Sequence, residues 1–215
     1  PWPKYASCLA PFVTVRVILG ISSTTRFVLN MTLIPISTES HDVAITIMYA
    51  TADNFTGQPV YTRPGCYLHS DAEVLLRRAI DLARAQGWRF QIFDAFRPSE
   101  AQFKLWDHTP DPDFLTDPNR GSPHSRGVAI DLTLVDAGSG EALDMGTAFD
   151  AFTPLSHHGN TDISPVAQEN RYRLLGLMTA AGWDCYLKEW WHYQLFDSRS
   201  YEVMNDHVLD QPMMG

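Results

Sequence analysis

The stretch that most constrains the fold runs from Gly127 to Val135, because its side chains alternate between two surfaces of different chemistry. Successive side chains of an extended strand point to opposite faces of a sheet. One face is uniformly aliphatic and must pack on a hydrophobic core; it carries Val128, Ile130, Leu132 and Leu134. The other face carries Asp131 between the small residues Ala129 and Thr133, which leaves room for an ion. The stretch therefore predicts a sheet with a core on one side and a polar site on the other.

Three further segments have the sequence pattern of helices. Capping-box patterns, in which a hydroxyl and a carboxylate or amide satisfy free amides of the first turn, begin two of them at Ser70 and Ser99. The first of these helices is expected to stop at Gly87. The third begins after Ser164, where a proline occupies the first helical position, and runs to Gly182. These helices supply the layer that covers the aliphatic face of the sheet.

Additional strands are predicted on both sides of the central one. Val43 to Ile47 alternates between apolar and other residues, and both Trp88 to Ala95 and His192 to Phe196 have strand composition. Residues 107–123 form a long polar loop, and loops of that length are commonly functional. The combination predicts an α+β fold with a central, mainly antiparallel sheet, helices on one side and the polar site on the open face. The order of the strands is not derivable from the sequence.

Composition excludes several classes of protein. The 215 residues suit one domain, and 45% of them are hydrophobic, which is enough for a core. A net charge of −9 argues against nucleic-acid binding, which needs clustered Lys and Arg. Cys8, Cys66 and Cys185 are odd in number and contain no CxxC pair, so they indicate neither a disulfide framework nor a thiolate metal site. This cysteine pattern favours a reducing, cytoplasmic compartment.

Residues 1–30 differ from the rest of the chain. They contain no Asp or Glu, and Arg16 interrupts the apolar run from Leu9 to Ile21, so no membrane span of about twenty residues is available. We predict that they are an N-terminal extension and that residues 31–215 form a single domain. The alternative is a degenerate secretory signal, which would place the protein in the periplasm.

Two distant motifs supply the residues of a catalytic metal site. Ser122-Pro123-His124 leads into the strand of Asp131, and Glu189-Trp190-Trp191-His192 follows much later in the chain. A catalytic zinc ion needs three protein ligands, an open position for water and a base beside it. Residues three apart in a strand point to opposite faces, so the chain must bend between Glu189 and His192 for both to reach one site. Each motif alone fits a structural role, whereas the pair is far more specific.

With other motifs, this pair resembles the zinc D-alanyl-D-alanine dipeptidase family of the vancomycin-resistance (VanX-like) type. The resemblance extends over roughly residues 40–196. It includes Tyr-Ala-Thr-Ala-Asp-Asn-Phe-Thr-Gly at 49–57, Phe-Arg-Pro at 96–98, Met-Gly-Thr-Ala-Phe-Asp at 145–150 and Ser-His-His at 156–158. The resemblance implies hydrolysis of the D-Ala-D-Ala dipeptide to free D-alanine, in cell-wall turnover or glycopeptide resistance, and the sequence does not choose between these roles.

The resemblance also implies the catalytic residues. One zinc ion per chain would be bound by His124, Asp131 and His192. Glu189 would be the general base that takes a proton from water and returns it to the leaving amine. Arg97 would stabilise the oxyanion that forms when water attacks the peptide carbonyl.

By the same resemblance, Tyr49 and Asp150 would receive the free ammonium group of the substrate, and Ser122 would help to hold its carboxylate. Recognition of both charged ends would restrict the enzyme to dipeptides, because a longer peptide would leave buried ionic groups unpaired. Two features depart from the family pattern. Pro123 stands where a polar residue is expected, and the loop 107–123 is shorter than in the resistance enzyme, so pocket shape and substrate rate stay open.

Two alternatives remain at the level of sequence. A related peptidoglycan D,D-carboxypeptidase or endopeptidase would need an open cleft and would leave Tyr49 and Asp150 without a role. A non-catalytic zinc-binding module would require neither Glu189 nor Arg97. In each case the sequence predicts a small substrate or metal as partner rather than nucleic acid or membrane, and it leaves the oligomeric state open.

Overall fold

A five-stranded sheet forms the centre of residues 33–215, the part of the chain that the computed structural model describes. The strands are β1 (Leu33–Pro35), β2 (Ala44–Ile45), β3 (Tyr67–His69), β4 (Trp88–Asp94), β5 (Ala129–Asp136), β6 (Asp184–Cys185) and β7 (His192–Gln194). The helices are α1 (Thr38–His41), α2 (Ser70–Arg84), α3 (Ser99–His108) and α4 (Pro165–Ala181). The predicted N-terminal extension, residues 1–30, lies outside the described residues.

The central sheet has the strand order β2-β4-β5-β7-β6. The pair β2–β4 is parallel, and β4–β5, β5–β7 and β6–β7 are antiparallel. Strands β1 and β3 form a separate antiparallel pair. The prediction of an α+β fold with a mainly antiparallel sheet is therefore confirmed.

Helices α2 and α4 pack against each other, and they contact the central sheet through β4, β5 and β6. The aliphatic residues of β5 are fully buried, as the alternating pattern requires: Ile130, Leu132 and Leu134. The face of β5 that carries Asp131 is also shielded from solvent, because Phe149 packs against both Phe93 and Trp191. The polar site is therefore reached through a pocket in this covering layer. No helix among the described residues has the length and apolar composition needed to cross a bilayer.

The two predicted capping boxes are wrong, although the helices begin where expected. The N-cap of α2 is His69, whose Nδ1 accepts a hydrogen bond from the Asp71 amide, because the Glu73 carboxylate instead binds His41 Nε2 (3.0 Å) and Arg77. Helix α3 has no side-chain cap. The predicted start of α4 is confirmed, since Ser164 Oγ accepts a hydrogen bond from the Ala167 amide at 3.1 Å.

Candidate active site

All eight residues that the sequence analysis assigned to the site line one cavity of about 570 Å³. They are Tyr49, Arg97, Ser122, His124, Asp131, Asp150, Glu189 and His192. A volume of this size is typical of pockets for small molecules. The two motifs that are far apart in sequence therefore converge in space.

The register of the sheet produces this convergence. Asp131 in β5 lies opposite His192 of β7 on one side and opposite Asp94 of β4 on the other. The β4–β5 pairing shifts by one residue between Ile92 and Asp94, which is the signature of a β-bulge. Without that shift Phe93 would oppose Asp131, so the bulge is what brings the Asp94 carboxylate to the site.

His124, Asp131 and His192 form a compact, buried triad in which the candidate ligand atoms all lie within 4.8 Å of one another. Asp131 Oδ2 is 3.3 Å from His124 Nε2, and Asp131 Oδ1 is 3.1 Å from His192 Nδ1. The two imidazole nitrogens are 3.1 Å apart. In a tetrahedral zinc site with bonds of roughly 2.0–2.1 Å, neighbouring ligand atoms are about 3.3 Å apart. The spacing of the triad therefore fits a zinc ion.

Hydrogen bonds at the far side of each ring fix which nitrogen carries the proton. His124 Nδ1 lies 2.7 Å from the Ala95 carbonyl, which can only accept, so this nitrogen is the donor. His192 Nε2 donates in the same way to Gln194 Oε1 at 3.1 Å. The remaining nitrogens, His124 Nε2 and His192 Nδ1, then present lone pairs to each other and to the Asp131 carboxylate. Converging acceptors repel one another unless a cation lies between them, and this donor set suits zinc.

The predicted bend between Glu189 and His192 is present as a turn that ends where β7 begins. The Trp190 amide donates to the Ser156 carbonyl at 3.1 Å, and its indole Nε1 donates to Thr147 Oγ1 at 2.9 Å, which anchors the turn. Glu189 Oε2 lies 3.9 Å from His192 Nδ1. Burial, together with the negative charges of Asp131 and Asp150, raises the pKa of the Glu189 carboxyl. A carboxylate beside the triad with a raised affinity for protons has the properties of a general base.

Arg97 is buried and held from three sides. Its Nε donates to Asp94 Oδ2 at 2.8 Å, and its Nη1 donates to Gln102 Oε1 at 3.0 Å. Its Nη2 is 3.4 Å from Asp131 Oδ2, and the guanidinium lies 4.8 Å from the centre of the Tyr49 ring. These contacts fix a positive charge at the edge of the His124–Asp131–His192 triad.

Tyr49 and Asp150 form a buried pair in the same cavity. The Tyr49 hydroxyl donates to Asp150 Oδ1 at 3.1 Å. The other oxygen of Asp150, Oδ2, is buried and has no hydrogen-bond partner among residues 33–215. Burial, reinforced by the charge of Asp131, raises the pKa of Asp150 to about 8. A buried carboxylate oxygen without a partner favours a cationic ligand at this position.

Ser122 is buried beside His124. Its Oγ accepts a hydrogen bond from the His124 amide at 3.2 Å, which leaves the hydroxyl proton free to donate. The hydroxyl is therefore available to an acceptor such as a carboxylate in the cavity. The structure thus brings all the residues predicted for metal, catalysis and substrate to one place, while their roles stay predictions.

Sequence reasoning missed the residues that support the site. Asp94 accepts hydrogen bonds from Arg97 and from the Tyr61 hydroxyl (3.0 Å). Gln102, the fourth residue of the capping-box pattern predicted at Ser99, instead accepts a hydrogen bond from Arg97. Gln194 could have been found, because residues two apart in a strand share a face and Gln194 follows His192 at that spacing. Asp94 could not, because nothing in the sequence marks the bulge in β4.

The sequence of the chain matches a family of known enzymes over most of its length. The family model of peptidase family M15, described as D-ala-D-ala dipeptidase, matches residues 30–213. The D-alanyl-D-alanine dipeptidase of Escherichia coli (strain K12) is 43% identical over 165 residues, which cover 77% of this chain and 85% of the relative. The D-alanyl-D-alanine dipeptidase of Enterococcus faecium is 38% identical over 180 residues, covering 73% and 88%. Among solved structures, a zinc-bound mutant of the vancomycin resistance D,D-pentapeptidase VanY matches with a TM-score of 0.41 and 15% identity, over 75% of this chain and 82% of that one.

Proposed function

The chain belongs to the D-Ala-D-Ala dipeptidase family, and from this premise we propose that it is a zinc-dependent enzyme that hydrolyses D-Ala-D-Ala to two molecules of D-alanine. The observation that carries the proposal is the convergence of His124 Nε2, Asp131 and His192 Nδ1 on one point with the Glu189 carboxylate beside them. A structural zinc site would need no such base.

In this proposal His124, Asp131 and His192 hold the zinc ion. Zinc, when bound, would act as a Lewis acid and lower the pKa of water enough for hydroxide to be available at neutral pH. The Glu189 carboxylate accepts the proton of the attacking water and returns it to the nitrogen of the leaving D-alanine. The Arg97 guanidinium donates to the oxygen that becomes negative during the attack, an interaction that typically contributes several kcal/mol to catalysis.

The two ends of the cavity suit the two charges of a free dipeptide. Asp150 Oδ2, which has no partner within residues 33–215, would accept a hydrogen bond from the substrate's ammonium group, with Tyr49 fixing the other oxygen. Ser122 Oγ would donate to the substrate's carboxylate. An N-acylated peptide would leave Asp150 buried without its cation, so this arrangement favours dipeptides over the cell-wall stem peptides of a carboxypeptidase.

The test of this function is metal analysis combined with a hydrolysis assay. We expect one zinc ion per chain, release of D-alanine from D-Ala-D-Ala, and loss of activity on chelation that zinc restores. The matched substrate is N-acetyl-D-Ala-D-Ala, which we expect to be hydrolysed at least about 100-fold more slowly, because a buried charge loses its partner. Faster hydrolysis of the acetylated substrate would assign the chain to the carboxypeptidase class instead. Zinc binding without hydrolysis of either peptide would indicate a structural zinc module.

We also propose that the enzyme acts in the cytoplasm. Both cysteines within the described residues, Cys66 and Cys185, are free thiols, which suits a reducing compartment. Fractionation of cells that express the full chain would test this, and recovery from the periplasm would contradict it.

A further inference from the structure

Two guanidinium groups at the rim of the cavity have no partner among residues 33–215. Arg120 lies in the loop that follows α3, Arg199 lies in the turn that follows β7, and both line the cavity that holds the metal triad. Both residues are exposed, and within residues 33–215 neither side chain makes a hydrogen bond or an ion pair. The other arginine of the cavity, Arg97, is committed to Asp94, Gln102 and Asp131.

Arg126 holds the two segments together. Its Nη2 donates to the Arg120 carbonyl at 3.2 Å, and its Nη1 donates to the Tyr201 carbonyl. The Arg126 guanidinium therefore lies between the backbones of the two segments that carry Arg120 and Arg199, and it adds a third positive charge beside this rim. Such a gathering is unfavourable in the absence of an anion, and the chain as a whole carries a net charge of −9. The arrangement therefore points to an anionic ligand.

A positive rim favours the binding of a substrate carboxylate, because the interior of the cavity offers it little positive charge. Asp131, Asp150 and Glu189 line this space, and the buried Arg97 guanidinium already donates to Asp94, Gln102 and Asp131. The segment from Ser122 to His124 offers little compensation, because Pro123 has no amide N–H and the His124 amide is already bonded to Ser122 Oγ. A single neutral hydroxyl does not balance a charge in a partly dry pocket.

We propose that Arg120 and Arg199 form a carboxylate-binding rim that makes the enzyme specific for substrates with a free C-terminal carboxylate. The proposal rests on the proposed function, since it assigns the partner of one end of the same substrate. The cavity then has a polarity that matches a zwitterion. In this proposal the substrate's ammonium group lies toward Asp150, and its carboxylate lies toward Ser122 and the two guanidinium groups that line the same cavity.

The test measures binding of two ligands that differ only in charge at one end: D-Ala-D-Ala and D-Ala-D-alaninamide. The zinc-loaded Glu189→Ala chain serves as the background that does not turn over, and calorimetry gives Kd. We expect the double variant Arg120→Gln/Arg199→Gln to raise the Kd of the dipeptide about tenfold and to leave that of the amide within about twofold. Arg→Lys at both positions should recover part of the affinity, because it retains the charge.

A matched control changes the same charge elsewhere. Arg78 is an exposed arginine of α2 outside the cavity, and Arg78→Gln should leave both Kd values unchanged. The affinity of the dipeptide should also fall with added salt in the background protein, and this dependence should be weaker in the double variant.

The outcomes separate this proposal from the proposed function. If the dipeptide loses affinity selectively, the rim is supported, even where the unmodified enzyme fails to hydrolyse D-Ala-D-Ala and the proposed function is rejected. If the dipeptide keeps its affinity in the double variant, or if the amide loses as much, the rim is overturned while the function stands. If the background protein binds no dipeptide at all, both proposals are rejected.

Discussion

At the scale of single residues, the site depends on groups that orient the candidate metal ligands through hydrogen bonds. The side-chain oxygen of Gln194 and the Ala95 carbonyl each accept a hydrogen bond from one imidazole, so that the opposite nitrogens of His192 and His124 face the same point. Such partners orient metal ligands and increase their basicity. The roles proposed for Glu189 in catalysis and for the triad in metal binding fall on different residues, so each can be tested without the other.

Glu189→Ala should abolish turnover and leave zinc bound, because Glu189 is beside the triad and is not one of its members. General bases typically contribute a factor of about 10² to 10⁴ in rate, so kcat should fall by at least about 100-fold. Steady-state kinetics and zinc stoichiometry on the same sample check both halves of the prediction. Glu202→Ala, which changes an exposed carboxylate, is the control. Full activity of the Glu189 variant would reject the mechanism.

Gln194→Leu should weaken zinc binding roughly 10- to 100-fold, because His192 loses the acceptor that fixes its tautomer. The measurement is the zinc Kd from competition with a chelator, which does not depend on turnover. Gln91→Leu provides a matched control, since Gln91 lies in β4 and its amide binds Thr46 rather than a metal ligand. Equal zinc affinity of the Gln194 variant and the unmodified chain would show that this hydrogen bond has no role in metal binding.

At the scale of elements, the local sequence pattern was enough to predict most helices and strands. It did not predict how α2 and α3 are capped or the bulge in β4. The two-residue period identified β5 and its faces, and the Ser164-Pro165 start and Gly182 end of α4 were correct because each depends on a local interaction. The capping boxes failed where a distant partner competed, as His41 does for Glu73. The bulge in β4 was also unpredictable, since it depends on register with β5 and involves no glycine.

A small set of contacts holds the loop between α3 and β5 against the cavity. Phe114 stacks on Phe152 with ring centres 4.7 Å apart and planes 8° apart. Asp113 accepts a hydrogen bond from the Tyr186 hydroxyl at its carbonyl (2.9 Å) and pairs with Lys188 at 2.6 Å. Phe114 and Phe152 also line the cavity, so the stacked pair that holds the loop in place is itself part of the cavity wall.

Phe114→Ala should loosen this loop, because an aromatic pair of this kind contributes about 0.5–1.5 kcal/mol beyond its buried area. Amide hydrogen exchange of residues 111–121 should become faster, with exchange in β5 unchanged. The wider opening should raise kcat/KM for N-acetyl-D-Ala-D-Ala relative to D-Ala-D-Ala. Phe103→Ala, an exposed phenylalanine of α3 outside the cavity, is the matched control. An unchanged ratio together with faster exchange would show that Phe114 orders the loop without limiting access.

At the scale of the whole molecule, the convergence of two distant motifs could be inferred only from chemistry. The spacing of Glu189 and His192 along the chain indicated that the backbone must bend between them, and the set of residue types indicated a metal-binding site. Neither gave the order β4-β5-β7, which aligns Asp94, Asp131 and His192 in one row. Strand order depends on how helices and loops share the two faces of the sheet, and this is a property of the complete chain.

The stability of the whole molecule should depend on pH through His158, which lies outside the metal triad. Neither ring nitrogen of His158 has a hydrogen-bond partner within residues 33–215, and its ring packs near Tyr193 with centres 6.3 Å apart. Burial, together with the charge of Arg171, lowers the pKa of His158 to about 4. The unfolded chain has the ordinary histidine pKa of about 6.5, so below that pH the unfolded state binds more protons. The stabilising effect of a neutral His158 is therefore complete above pH 6.5 and is lost as the pH falls toward 4.

His158→Phe removes this titration and retains an aromatic ring of similar size. The free energy of unfolding of the variant minus that of the unmodified chain should rise steadily between pH 6.5 and pH 4, whatever its value at pH 7. Urea unfolding at a series of pH values measures this difference, with zinc removed from both proteins so that protonation of the metal ligands affects them equally. Two stability curves that run parallel through this range would mean that His158 accepts its proton as readily in the folded protein as in the unfolded chain.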